Sequence, residues 1–167
     1  KMCSKNIIII CLLLCFTILL VRTGLGSNYG GQAYLRMETT SDLDLHGYFP
    51  WGTHVCYWAP FGRPESKNRG EYLSHDANVG GGEVGSIENI YFPINHPGKY
   101  TFKIHNYYNW ENGNNPYVFK VFLGDKRFHR GGVLGGTGDS KTYSFVKKPR
   151  QEHNDHVNSS DWQSVDS

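Results

Sequence analysis

Apolar and polar residues alternate with a period of two along much of this chain. Successive side chains of a strand point to opposite faces, so the pattern predicts strands over 33–39, 43–49, 54–58, 90–92, 99–107, 117–123, 126–129 and 142–146. The clearest is 99–107, with Tyr100, Phe102, Ile104 and Asn106 on one face and Thr101, Lys103 and His105 on the other. From Ala33 onward no long window carries the 3.6-residue apolar spacing of an amphipathic helix, and Gly, Pro, Asn and Asp interrupt at short intervals. Gly124-Asp125 reads as a two-residue hairpin link with glycine first. About eight short strands divided by turn signals predict an all-β fold, an antiparallel, jelly-roll-like β-sandwich over 33–146.

The two ends follow other patterns. A short basic stretch, Lys1 to Lys5, precedes the apolar run Ile7 to Val21, broken only by Thr17. The run has signal-peptide length and falls short of the ~20 residues that span a bilayer. Gly24 and Gly26 supply small residues before a cut at Ser27. The expectation is a signal peptide over 1–26 and a secreted product, periplasmic in a bacterial host; a retained N-terminal anchor is the alternative. Residues 27–32 form a Gly-rich lead-in, and 147–167 read as a polar, disordered tail. Within it Asn158-Ser159-Ser160 has the pattern of a glycosylation sequon on Asn158.

The length of 167 residues suits one domain with extensions. A hydrophobic share of 38% with 14% aromatics excludes a disordered chain, and 19% charged residues is too few for a coiled coil. Removing 1–26 takes three basic residues and no acids, so 17 basic against 15 acidic becomes 14 against 15. No Lys/Arg cluster is left to bind nucleic acid. Three of the four cysteines leave with the same segment. The remaining Cys56 is either buried as a small hydrophobe, which Val55, Tyr57 and Trp58 favour, or forms an intermolecular disulfide.

Several motifs stand out in order: Asp42-Leu43-Asp44-Leu45-His46, Cys56-Tyr57, Asp76-Ala77-Asn78 before Gly80–Gly82, Glu88-Asn89-Ile90, Pro97-Gly98-Lys99-Tyr100, and the Tyr-rich run at 105–108. From about Ala33 to Val146 this order resembles the YfaP-like secreted domains, a family of unknown function. The resemblance implies a β-sandwich and little about activity.

The residues themselves imply more. In a strand, Leu43 and Leu45 turn to the core while Asp42, Asp44 and His46 share the other face. Two carboxylates about 7 Å apart along one strand repel, and a cation relieves that repulsion. Asp76, Asn78 and Glu88 bracket a glycine loop that could reach the same place. Oxygen ligands from Asp, Asn, Glu and loop carbonyls suit Ca²⁺, which takes 6–8 oxygens. Asp42, Asp44, Asp76, Asn78 and Glu88 are therefore candidate Ca²⁺ ligands. Two alternatives stay open: a metal-free network in which these side chains cap turns, and a transition-metal site using His46, His75 and His105.

Catalytic patterns are weak. There is no Gly-x-Ser-x-Gly elbow, phosphate-binding loop or zinc-protease helix motif. Cys56 with a histidine, or Asp44 with Glu88 as a glycosidase pair, lacks the spacing information that would support it. Trp51, Tyr107, Tyr108 and Trp110 fall in or beside predicted loops, where flat rings contact partners or glycans. The expected function is a secreted, non-enzymatic module that binds an extracellular protein or glycan and is ordered by Ca²⁺. The alternatives are a structural subunit of a matrix, coat or mineral that self-associates, and a hydrolase using the carboxylates or histidines.

Overall fold

Alternation becomes burial strand by strand. The computed structural model describes residues 29–63, 70–110, 113–149 and 161–165, so the expected signal segment and Asn158 lie outside the described residues. Among the described residues there is no helix. Eleven strands occur: β1 (Gly30–Met37), β2 (Asp42–Tyr48), β3 (His54–Cys56), β4 (Ala59–Arg63), β5 (Tyr72–Leu73), β6 (Ile87–Pro93), β7 (Gly98–Tyr108), β8 (Asn115–Leu123), β9 (Lys126–Leu134), β10 (Ser140–Lys147) and β11 (Trp162–Ser164). They build two antiparallel sheets, in the orders β5-β6-β1-β8-β9 and β11-β10-β7-β2-β3-β4. The fold is the expected all-β sandwich.

Facing positions on the two sheets fill the space between them. Ala33 and Leu35 of β1, Ile90 and Phe92 of β6, and Phe119 and Val121 of β8 meet Leu43 and Leu45 of β2, Tyr100 and Phe102 of β7, and Phe145 of β10. Burying such side chains contributes about 1.5–3 kcal/mol each, so this layer is the main source of stability. The polar tips of two core tyrosines meet each other, Tyr117 Oη to Tyr143 Oη at 2.9 Å, and so join the sheets. Gly124 makes the β8–β9 turn at φ 65°, a conformation that a residue with a Cβ rarely adopts.

The structure departs from the sequence reading at its margins. Gly30–Gln32 of the expected lead-in is already strand, paired with both β6 and β8. Part of the expected tail is strand as well: Trp162–Ser164 pairs with β10, and the Trp162 ring lies 5.0 Å from that of Tyr100. One aromatic anchor docks this segment, and a single apolar residue leaves no periodic pattern to read. β4 was missed because Pro60 and Gly62 look like breakers; both are tolerated in a strand at the edge of its sheet.

One topological detail creates the site. β2 lies between β7 and β3, but β3 pairs with it only at Gly47 and Tyr48. The first half of β2 therefore has β7 on one side and, on the other, the loop that runs from β5 to β6.

Candidate metal centre

Along β2 the predicted two-face division holds: Leu43 and Leu45 enter the core, and Asp42, Asp44 and His46 take the outer face of the six-stranded sheet. Those three polar residues are nevertheless almost as buried as the leucines, at 5%, 3% and 9% exposure. The outer face is roofed by rings. Tyr57, in the turn after β3, meets Tyr107 of β7 with ring centroids 5.6 Å apart, and β2 runs between those two strands.

The β5–β6 loop is tied down beside them by polar bonds. The Asn78 amide Nδ2 donates to the carbonyls of Thr39 and Ser41, at 3.4 and 3.2 Å. Asn78 has φ 66°, and the amide of Gly81 returns to the Asn78 carbonyl. A Cβ at Gly82 would fall on the Asn78 side-chain amide, so the loop closes only with glycine there. Glu88 enters from β6, wholly buried, and its two oxygens accept the amides of Ala77 (3.0 Å) and Leu45 (2.8 Å). It thus stands in for the strand that β3 does not provide. These anchors carry Asp76 to Asp42 and Asp44, and one carboxylate oxygen from each of the three lies within 4.8 Å of the others.

The charges are arranged unfavourably for an isolated protein. Burial, then the neighbouring Asp76, pushes Asp42 up to about 6. Burial, then Asp42 and Asp76, pushes Asp44 up to about 7. Asp76 is raised chiefly by burial, against a hydrogen bond with Glu88, and Glu88 lies well above the usual carboxylate range because it is buried. Asp42 Oδ1 and Asp44 Oδ2 are buried with no hydrogen-bond partner. The latter lies 3.7 Å from His105 Nδ1, beyond hydrogen-bond distance. Native interiors seldom leave acceptors so placed, because each unsatisfied group costs about 1–3 kcal/mol.

Beside the carboxylates lies a second set of ligating groups. His105, opposite Asp44 on β7, joins Asp44 and His46 in a group whose ligand atoms also fall within 4.8 Å of one another, and so do His46, His54 and Cys56. His46 Nδ1 meets His54 Nε2 at 3.0 Å, while His46 Nε2 is buried without a partner. Burial, followed by the neighbouring His54, His105 and Lys103, lowers His46 to about 4; burial and Lys103 also lower His54 and His105. A neutral imidazole has a single lone pair, so the bond between His46 and His54 engages one of theirs and leaves the other, with that of His105, for a metal.

Of the residues singled out by sequence, Asp42, Asp44 and Asp76 come together. Asn78 and Glu88 border them, with the Asn78 nitrogen and both Glu88 oxygens already engaged by backbone. His46 and His105 converge, whereas His75 is exposed and bonds Ser74 instead. Tyr107, Tyr108 and Trp110 are exposed, and the Trp110 amide donates to Ser41 Oγ, next to Asp42. Trp51 is a correction: its ring stacks on Phe49 at 5.1 Å, its Nε1 donates to Glu71, and it packs against the core. Cys56 is fully buried, as its neighbours favour, and burial pushes its thiol up to about 11, which suits neither the alternative of an interchain disulfide nor a nucleophile. His54 was missed; its alternation with Cys56, one hairpin after His46, was the available signal.

No family model, curated protein or solved structure matches this chain. The likeness to YfaP-like domains therefore rests on the sequence motifs quoted above.

Proposed function

We propose that this chain is a secreted, non-catalytic β-sandwich module that binds an extracellular protein or glycan, and that Ca²⁺ held by Asp42, Asp44 and Asp76 orders its binding end. The observation that carries this reading is the pair of buried oxygens without a hydrogen-bond partner, Asp42 Oδ1 and Asp44 Oδ2, beside the Asp76 carboxylate. Three carboxylates offer up to six oxygens, and water completes the 6–8 that Ca²⁺ takes. The ion fixes Asp76 and with it the loop that Asn78 and Glu88 anchor. Through Ser41, which accepts from both Asn78 and Trp110, the same end carries the exposed rings of Tyr107, Tyr108 and Trp110. The wall of this site is a strand shared with the core, so metal and fold stabilise each other.

A self-assembling matrix subunit is the less supported reading, since the buried Cys56 is not placed to crosslink one copy to another.

The test is a melt and a native mass of the full chain in Ca²⁺ and in chelator, on wild type and Asp76→Asn. Ca²⁺ at a hundred times its Kd should raise the wild-type Tm by roughly 10 °C, add about 40 Da, and do neither in Asp76→Asn. Identical melts and masses with and without Ca²⁺ would overturn the proposal.

A further inference from the structure

We propose that Asp44, His46 and His105 form a second metal site, distinct in chemistry from the carboxylate cluster, for a divalent first-row transition ion. The inference extends beyond the calcium reading and shares only Asp44 with it. Two imidazoles and one carboxylate make a nitrogen-rich set that Zn²⁺, Fe²⁺, Co²⁺ or Cu²⁺ accepts and Ca²⁺ does not prefer.

Three observations carry it. First, the ligand atoms converge within 4.8 Å from two adjacent strands, Asp44 and His46 of β2 and His105 of β7, so the site sits on paired backbone and not on a loop. Second, two atoms of these side chains, Asp44 Oδ2 and His46 Nε2, are buried and have no hydrogen-bond partner. Each belongs to a side chain at least nine-tenths buried, so neither deficit is repaired by bulk water. Third, the other nitrogen of His46 already holds His54 at 3.0 Å, and the His54 ring is stacked on Tyr48 with centroids 4.2 Å apart. A metal-ligating histidine is commonly oriented in this way, with one ring nitrogen fixed by an outer partner and the other presented to the ion.

Three protein ligands leave further positions on the ion to water or to a bound molecule. The Tyr57 and Tyr107 rings, 36% and 50% exposed, meet across this face and limit what can enter. Cys56 lies beside His46 and His54 and makes a competing set in which sulfur replaces oxygen. That alternative has a separate spectroscopic signature.

The experiment is a Co²⁺ titration of the full chain in Ca²⁺-free buffer, so that Asp44 is not already held by Ca²⁺, followed by visible absorption, on wild type, His105→Gln and Asp76→Asn. Wild type and Asp76→Asn should develop cobalt d–d bands at the same Co²⁺ concentration. His105→Gln should need at least ten- to a hundredfold more, because losing a ligand costs no less than losing an outer-shell partner. Failure of wild type to develop bands, or an unchanged midpoint in His105→Gln, would overturn the site. Bands lost equally in Asp76→Asn would move the metal to the carboxylates, and a near-ultraviolet sulfur-to-cobalt band would move it to Cys56; both count against the proposal. Zn²⁺ added to the ¹⁵N-labelled wild type needs no variant: the ring nitrogens of His46 and His105 should shift, and stationary signals would refute it. The calcium reading fails separately, if the Ca²⁺ adduct is missing from wild type or persists in Asp76→Asn.

Discussion

His46 Nδ1 and His54 Nε2 face each other at 3.0 Å, and only one of these two nitrogens can carry the shared proton. If the proton sits on His46 Nδ1, that ring donates to His54 and keeps the lone pair on Nε2, the atom buried without a partner. The opposite tautomer would leave an N–H there with no acceptor. His54 is thus a positioning residue for the transition-metal site. His54→Ala should weaken Co²⁺ binding by about ten- to a hundredfold, and His54→Gln, which can still accept through its carbonyl, should restore part of it. Ca²⁺ binding should be unchanged in both variants. A loss of Co²⁺ affinity no smaller in Gln than in Ala would argue against the tautomer assignment.

The carboxylate cluster gives the metal-free protein an unusual pH response. Asp42 and Asp44 titrate near 6 and 7 in the folded state, above their usual value near 4, so the folded chain binds the extra protons. Their contribution to stability is therefore largest near pH 4 and is lost as pH rises to 7. His46, lowered to about 4, acts oppositely, adding stability as pH rises from 4 to its usual 6.5. Asp44→Asn removes one falling contribution. In chelator its stability relative to wild type should improve steadily between pH 4 and 7, by on the order of 2–4 kcal/mol, and level off above. In Ca²⁺ the order should reverse, because the ion binds the deprotonated cluster. Denaturant melts across this pH range, with and without Ca²⁺, read both signs; parallel profiles would contradict the electrostatics described here.

How much of this was legible beforehand depended on range. The two-face division of β2 followed from alternation alone, which placed Asp42, Asp44 and His46 together before any contact was known. The arrival of Asp76 was only a suggestion of the Gly-rich loop, since its position depends on Asn78 bonding carbonyls 37 and 39 residues away. The burial of the outer face was invisible, because Tyr57, in the turn after β3, and Tyr107 of β7 meet across β2 only in the folded chain. His54 became a ligand neighbour only through the register Tyr48 to His54, and a hairpin register is not fixed by two residues of pattern. Trp51 misled because a tryptophan after Pro50 looks like a loop residue, while its partners Phe49 and Glu71 are tertiary.

Glu88 is the structural hinge between sheet and loop. Both of its oxygens accept backbone amides, and a glutamine there offers one acceptor and turns a donor toward the other amide. Glu88→Gln should destabilise the protein by about 1–3 kcal/mol in chelator, and by at least as much in Ca²⁺ because Glu88 also anchors the loop that carries Asp76. A loss already present in chelator, measured by denaturant unfolding, marks Glu88 as a bearer of the fold; a loss confined to Ca²⁺ would make it a ligand.

Asn78 separates the two ways in which a loop can support a metal, by its own shape or by its ligands. Its side chain holds the Thr39 and Ser41 carbonyls, and its backbone sits at φ 66°, which costs a residue such as alanine roughly 1–2 kcal/mol. Asn78→Ala loses the hydrogen bonds and gains the strain, whereas Asn78→Gly loses the hydrogen bonds alone. Neither touches Asp42, Asp44 or Asp76. If the loop must be preformed to bring Asp76 into place, Ca²⁺ affinity should fall in the order wild type, Gly, Ala, about fivefold to thirtyfold at each step for 1–2 kcal/mol lost from the ordered loop. The same order should appear in the Ca²⁺-dependent part of Tm, with little change in the Co²⁺ midpoint, because β2 and β7 hold the histidines independently of the loop. Equal Ca²⁺ affinity in all three proteins would mean that the ion itself folds the loop, and Asn78 would then contribute only to the metal-free state.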